Sequence, residues 1–353
     1  MSLTVNTQIR QGYHLGDPWD EIVTFVKECD AIGVHTIWSP EAWNYDALTP
    51  LAYLAAVTSR VRLGTSVMQI GARTPALIAT SALTMAELTG DRFVLGLGVS
   101  GPQVMEGWHG VRYAEPFTRL RETIDIIQMV CAGERLEYHG RHHQLPLPDS
   151  QGRALRTFLE PRSIPLYLAT LGPRTLEYLG AHADGWLGTT FTADHADTFL
   201  EPIRAGAASA SRSMSEIDVQ VAVPYYADDD VEAAMATAKQ DFAFRAGAMG
   251  SQEVNFYNRS YARQGFGEVI TAIQTRWRDG DRRGAAALVP DELIESINLF
   301  GDSERLVSSL RALAAVGVTS VNVRPIASTM DRRILAMADV VEAARSLGGP
   351  TSG

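Results

Sequence analysis

A rhythm constrains this chain more than any single motif. Short apolar, β-branched runs alternate with longer stretches whose apolar residues recur at helical spacing, and the alternation completes eight turns. Residues 3–8, 35–39, 62–68, 93–97, 165–169, 185–189, 217–224 and 318–323 read as strands. Helices are predicted over 18–32, 50–58, 75–88, 116–130, 174–182, 193–209, 303–315 and 331–347. In the first helix Trp19, Ile22, Val23, Phe25, Val26 and Cys29 share a face. Gly33, Gly90 and Gly317 stand where helices should end, and Pro75 where one should start. Eight strand–helix units are the count of a (β/α)8 TIM barrel, although the alternation also permits a doubly wound open sheet. The count, and the lack of a dividing linker, favour one barrel domain over residues 1–347. Two stretches break the rhythm. Residues 133–162, after strand four, carry six Gly and Pro and suggest a hairpin. Residues 228–300, after strand seven, should hold two or three extra helices. The tail, GGPTSG (348–353), should be disordered.

With 46% hydrophobic and 20% charged residues among 353, the chain can bury a large core, which excludes wholesale disorder. The balance of 31 Lys+Arg against 41 Asp+Glu gives a net charge of −10 without a basic block. Nucleic acid and anionic membrane are therefore poor partners, and a small-molecule substrate is expected instead. Cys29 and Cys131 cannot form a disulfide framework and read as buried free thiols of a reducing compartment. The N-terminus lacks a signal-peptide pattern, and no apolar run approaches the ~18 residues that span a bilayer. A soluble cytoplasmic protein is expected.

Barrel active sites follow the C-terminal ends of strands. After strand two, SPEAWNYD places Glu41 between Trp38 and Trp43. An apolar rim would raise its pKa and suit it to proton transfer; the plainer reading is an exposed loop acid. Strand three ends with Gly64, Thr65 and Ser66, and Gly71 shapes the loop beyond. Strand four runs into GLGVSGPQVMEGWHG, where Gly96, Gly98 and Gly101 satisfy G-x-G-x-x-G. That match follows a fourth strand rather than opening a βαβ unit, so it argues only for bared backbone N–H groups facing an anion or a flat cofactor. Trp108 and His109 would wall a pocket or simply pack a long loop. After strand five, Gly172-Pro173 opens a helix with Arg174 and Thr175 in its first turn, either a phosphate site or a simply capped start. His139, His142 and His143 have no thiolate or carboxylate at ligand spacing, so a solvated hairpin is expected and no metal site. No G-x-S-x-G elbow or P-loop occurs. A paired-carboxylate hydrolase would need Glu106 or Asp184 beside Glu41.

Several longer segments resemble one family. TIWSPEAW (36–43), LGTSVMQIGARTPA (63–76), GDRFVLGLGVSGPQVMEGWHG (90–110), RLRETIDII (119–127), PLYLATLGPRTLEYLGAHADGWL (165–187) and NFYN (255–258) are similar to the coenzyme F420-dependent oxidoreductases of the bacterial luciferase-like superfamily. The resemblance implies a barrel with a deazaflavin across its C-terminal mouth. It also implies a non-prolyl cis peptide at the end of strand three, here Ser66–Val67, in a bond type otherwise almost confined to proline. Loop 99–104 and the backbone at 171–172 would take the cofactor's side chain and phosphate. The implied cofactor-binding residues are Trp43, Thr65, Ser66, Val67, Gly98, Val99, Ser100, Gly101, Gln103, Val104, Leu171, Gly172, Arg174 and Thr175. Trp38, Trp108 and His109 would face the substrate.

The implied activity is hydride transfer between deazaflavin C5 and a small organic substrate, with Glu41 as proton donor or acceptor. Some relatives carry Asp-His after strand two where this chain has Pro40-Glu41, and basic residues for a sugar phosphate find no counterpart here. The alternatives are an FMN-dependent monooxygenase on the same barrel and a cofactor-binding protein without turnover. The family implies a homodimer. The second insertion, with Phe242, Phe244, Phe256, Tyr257 and Phe266, would either cover the pocket as a lid or pack as a satellite core.

Overall fold

Strand and helix alternate along the chain as the rhythm predicts. The computed structural model describes residues 3–9, 17–227, 230–248 and 255–348. The chain divides into two compact units, residues 36–169 and residues 1–35 with 170–353.

In the first unit the barrel strands are β2 (Thr36–Ser39), β3 (Arg62–Thr65), β4 (Phe93–Gly98) and β5 (Leu166–Leu168). They pair in that order, all parallel, with Trp38 opposite Gly64, Leu63 opposite Phe93 and Leu95 opposite Leu166. Beyond β3, Met68–Gln69 forms a short extra pairing with Leu97 and Gly98 of β4. In the second unit, β6 (Gly185–Gly188), β7 (Asp218–Tyr226), β8 (Ser320–Ile326) and β1 (Thr4–Gln8) run parallel in the order β6, β7, β8, β1. Leu299–Phe300 adds a short parallel pairing to the end of β7. The eight parallel strands make the fold a (β/α)8 TIM barrel, not an open doubly wound sheet.

The local reasons are those of the sequence. Helix Pro75–Thr89 starts on Thr74, whose hydroxyl accepts from Leu77 N, and stops at Gly90, which adopts φ 61°. Gly33 closes helix Trp19–Ile32 at φ 94°. Val221, Val223, Val321 and Val323, at odd-numbered positions of β7 and β8, are buried. Several even-numbered positions are buried and polar, and Asn6 Nδ2 donates to Gln220 Oε1 at 2.6 Å. That bond fixes the even face as the lumen, because side chains alternate along a strand.

Two stretches leave the strand–helix alternation. The first contains the antiparallel pair Tyr138–His139 and Gln144–Leu145. It is pinned by buried Glu122 on helix Pro116–Cys131, which accepts from the backbone N–H of Arg141, His142 and His143 at 2.7, 2.8 and 3.0 Å. Burial alone would raise the Glu122 pKa; the three donors outweigh it and hold the carboxyl below its ordinary value.

The second insertion holds more helices than predicted: Val231–Ala248, Phe256–Tyr261, Gly267–Arg278, Arg282–Ala287 and Asp291–Ile297. They close over a core of their own, with Phe242, Ile270, Ile273, Leu293 and Ile294 buried in it. Phe242 and Phe266 pack on that core, whereas Phe244 and Tyr257 are exposed. Cys29 and Cys131 are buried free thiols, and burial pushes the Cys131 thiol up to about 11. No helix among the described residues is long and apolar enough to cross a membrane. Of the tail, only Gly348 lies within the described residues.

Candidate active site

The loops after β2, β3 and β4 form one interlocked cluster. Glu41, just past β2, lies with its side chain 5% exposed. Arg73 Nη1 stands 2.7 Å from both carboxylate oxygens, and the backbone N–H groups of Gln69 and Ala47 donate to them at 3.1 and 3.2 Å. Gln69 Nε2 returns two bonds, to the carbonyls of Glu41 and Ala42. Glu41 therefore clasps the loop after β2 to the loop after β3. The apolar setting expected for this carboxylate is corrected here, because both its oxygens are met by a guanidinium and backbone donors. Asp46 adds to the clasp. Burial opposes its charge, but the N–H groups of Thr49 and Leu48 and the Arg73 charge hold its carboxyl below the ordinary value.

Trp38 is also corrected. It is 1% exposed and spends its ring on the core, tilted against Tyr167 at a centroid distance of 5.5 Å. Gly64 is glycine for that reason: a Cβ there would stand 2.4 Å from the Trp38 ring. Thr65 is buried as a strand bridge, donating to Gly96 O at 2.8 Å and accepting from Gly96 N at 2.9 Å. The bond Ser66–Val67 is cis, as the resemblance implies. Val67 lies over Gly98, where a Cβ would stand 2.6 Å from Val67 Cγ2.

The Gly-rich segment has a defined shape. Ser100 adopts φ 59°, and Gly101 caps the short helix Pro102–Met105. Met105 is buried against Gly71, whose missing side chain leaves room for the thioether. Val99 and Val104 are half-buried, Gln103 is exposed, and Trp43 and Trp108 are 42% and 64% exposed. Two buried polar atoms in this cluster, Gln69 Oε1 and His109 Nε2, have no partner among the described residues. Such atoms are costly unless a ligand or water completes them, so the cluster suits a bound group with hydrogen-bonding edges.

The loop after β5 belongs to the other unit. Helix Pro173–His182 begins at Gly172, which supplies no side-chain cap. Thr175 Oγ1 donates to Gly172 O at 2.9 Å and shares a short hydrogen bond with Thr170 Oγ1. Trp186 Nε1 holds Thr170 O at 2.8 Å, and Arg263 Nη2 donates to Leu171 O. Gly172 and Arg174 are exposed. The free helix start, with hydroxyls and an arginine at its edge, can hold a phosphate. Gln264, beside Arg263, is 1% exposed and ties the insertion to the loop after β6. Its Oε1 accepts from Thr192 N and Oγ1, and its Nε2 donates to Thr190 O and Ser260 O.

Sequence reasoning missed Arg73, Gln69, Arg263 and Gln264. Arg73 and Gln69 sit inside the segment 63–76, whose likeness to the family was the only signal. Arg263 and Gln264 meet partners more than 70 residues away, at spacings no local pattern encodes.

Comparison with known proteins identifies the class. The model of the luciferase-like monooxygenase family matches residues 1–320, and the chain belongs to that family. Among curated relatives, a Mycobacterium tuberculosis protein, by name a coenzyme F420-dependent oxidoreductase, is 37% identical over 320 residues, covering 88% of this chain and 92% of its own. The 5,10-methylenetetrahydromethanopterin reductase of Archaeoglobus fulgidus is 27% identical over 305 residues, covering 85% and 88%. Among solved structures, the coenzyme F420-dependent tetrahydromethanopterin reductase of Methanopyrus kandleri superposes with a TM-score of 0.78 at 23% identity. The match covers 97% of this chain and 99% of that one, a likeness of fold.

Proposed function

We propose that the chain is a coenzyme F420-dependent oxidoreductase that moves a hydride between deazaflavin C5 and a small organic substrate, working as a cytoplasmic homodimer on a single barrel domain. The observation that carries the reading is the glycine cradle at Gly98. Val67 rests on its bare Cα at the buried end of a barrel strand, and the half-buried residues 99–101 lead on from it into the loop. The 37% identical relative supports the choice of a deazaflavin over FMN.

In this reading the deazaflavin, when bound, supplies a two-electron carbon centre, which favours hydride transfer over oxygen activation. The chain's own residues do the rest. Val67 and Gly98 shape the surface on which a flat ring lies. Residues 99–104 and the start of helix Pro173–His182, with Arg174 and Thr175, take the side chain and phosphate. His109 Nε2 and Gln69 Oε1 offer buried polar atoms to a ligand. Glu41, the proton donor or acceptor expected from the sequence, works here as the holder of loop 39–47 against 69–73, because both its oxygens are already engaged.

The variant Glu41→Gln separates these roles. Loss of the Arg73 pairing should weaken F420 binding about tenfold and lower the melting temperature, since a buried pair that loses one charge is costly. An unchanged affinity and melting temperature, with only kcat reduced and one limb of its pH profile lost, would return Glu41 to proton transfer.

A further inference from the structure

The end of β8 in the second unit carries an arginine with a buried nitrogen that makes no hydrogen bond among the described residues. Arg324 lies near the end of β8, on the even-numbered face that looks into the lumen. Its Nη2 is wholly buried and makes no hydrogen bond among the described residues. The approach of Asp241 Oδ2, at 3.8 Å, is too long for one. Arg245 lies one helical turn beyond Asp241 on helix Val231–Ala248, and its Nε reaches only the Asp241 carbonyl at 3.3 Å. Two cations against one carboxylate leave a single positive charge in a partly desolvated place. Burial, and then the Arg245 charge, make the Arg324 cation harder to hold than an ordinary arginine.

One row deeper on the same face, Asn322 stands opposite Ala222. Asn322 Oδ1 is buried without a partner, yet Ala222 is exposed between buried Val221 and Val223. This face therefore carries an exposed small residue, Ala222, next to a buried acceptor, and one row above them a partly exposed guanidinium whose Nη2 is a buried donor held only by the long Asp241 ion pair.

Resting on the oxidoreductase reading, we infer that Arg324, backed by Arg245 and Asn322, is a substrate-recognition site for a small organic monoanion whose charge is a carboxylate. A guanidinium meets a carboxylate with two parallel N–H bonds, a match that a lone lysine could not reproduce. One net positive charge suits one carboxylate. The open space beside Ala222 takes the carbon skeleton, and Asn322 Oδ1 accepts a hydroxyl or amine of the same molecule. Asp241 competes with the substrate for Arg324 and keeps the site neutralised when it is empty.

The test uses the full chain with benzoate and benzamide, which share a shape and differ in charge, titrated by calorimetry or ligand-observed NMR. Wild-type protein should bind benzoate about tenfold more tightly than benzamide. Arg324→Gln should bring the two within twofold, and Arg324→Lys should keep part of the preference. Asp241→Asn should bind benzoate more tightly than wild type, a gain that a merely structural arginine would not give. Equal binding of the two probes to wild-type protein, a preference that survives Arg324→Gln, or no benzoate binding at millimolar concentration would each overturn the inference. A parallel F420 titration of the same variants keeps the two readings apart. Unchanged F420 affinity in Arg324→Gln assigns the loss to substrate recognition, whereas failure of wild-type protein to bind F420 would count against the cofactor reading alone.

Discussion

Gly98 and Val67 are the smallest parts on which the functional reading turns. A methyl group at Gly98 would stand 2.6 Å from Val67 Cγ2, so Gly98→Ala must displace Val67. Such overpacking typically costs ~1–3 kcal/mol, and F420 affinity should fall by more than tenfold, because the displaced atoms form the ring's expected bed. A fluorescence titration alongside a thermal melt would check this; unchanged affinity would remove Gly98 from the cofactor site. Glu122 makes a separate prediction. Its carboxyl is held below the ordinary value in the folded state, so its contribution is present above the unfolded pKa of roughly 4.3 and is lost as pH falls through the lowered folded value. Glu122→Gln should therefore lower the melting temperature at pH 7 and differ less from wild type near pH 3. A difference that grows on acidification would contradict the assignment.

At the scale of elements, Gln264 is the joint between the second insertion and the loop after β6. Replacing it with Leu leaves Thr192 N and Oγ1 without their acceptor, at a cost of ~1–3 kcal/mol for the buried groups. Hydrogen exchange should accelerate at residues 189–192 and 256–266 while helix Trp19–Ile32 stays protected; equal acceleration everywhere would point to global destabilisation instead. The elements themselves were largely legible in the sequence. Helix ends were marked by Gly33, Gly90 and Pro75, and strands by β-branched runs, because those signals are local. The insertion was under-read: residues 282–287 (RRGAAA) and 291–297 (DELIESI) make helices too short to show a clear period, and their burial depends on neighbours distant in sequence. The site was half legible. Small residues near strand ends could be found, but the ring of Trp38 explains Gly64 only once Trp38 and Gly64 are seen in register. Glu41 looked like a tuned acid because the partner that neutralises it, Arg73, lies 32 residues further on.

At the scale of the whole molecule, the chain is a luciferase-like (β/α)8 barrel, and the proposed reading lays a deazaflavin at its C-terminal mouth. The proposal turns on which ring this chain takes. The decisive measurement is a paired fluorescence titration of cofactor-free protein with F420 and with FMN. Tight, saturable F420 binding is expected, with FMN binding at least tenfold weaker, about 1.4 kcal/mol or more in favour of the deazaflavin. Preferential binding of FMN would contradict it and move the chemistry to oxygen-dependent monooxygenation on the same barrel.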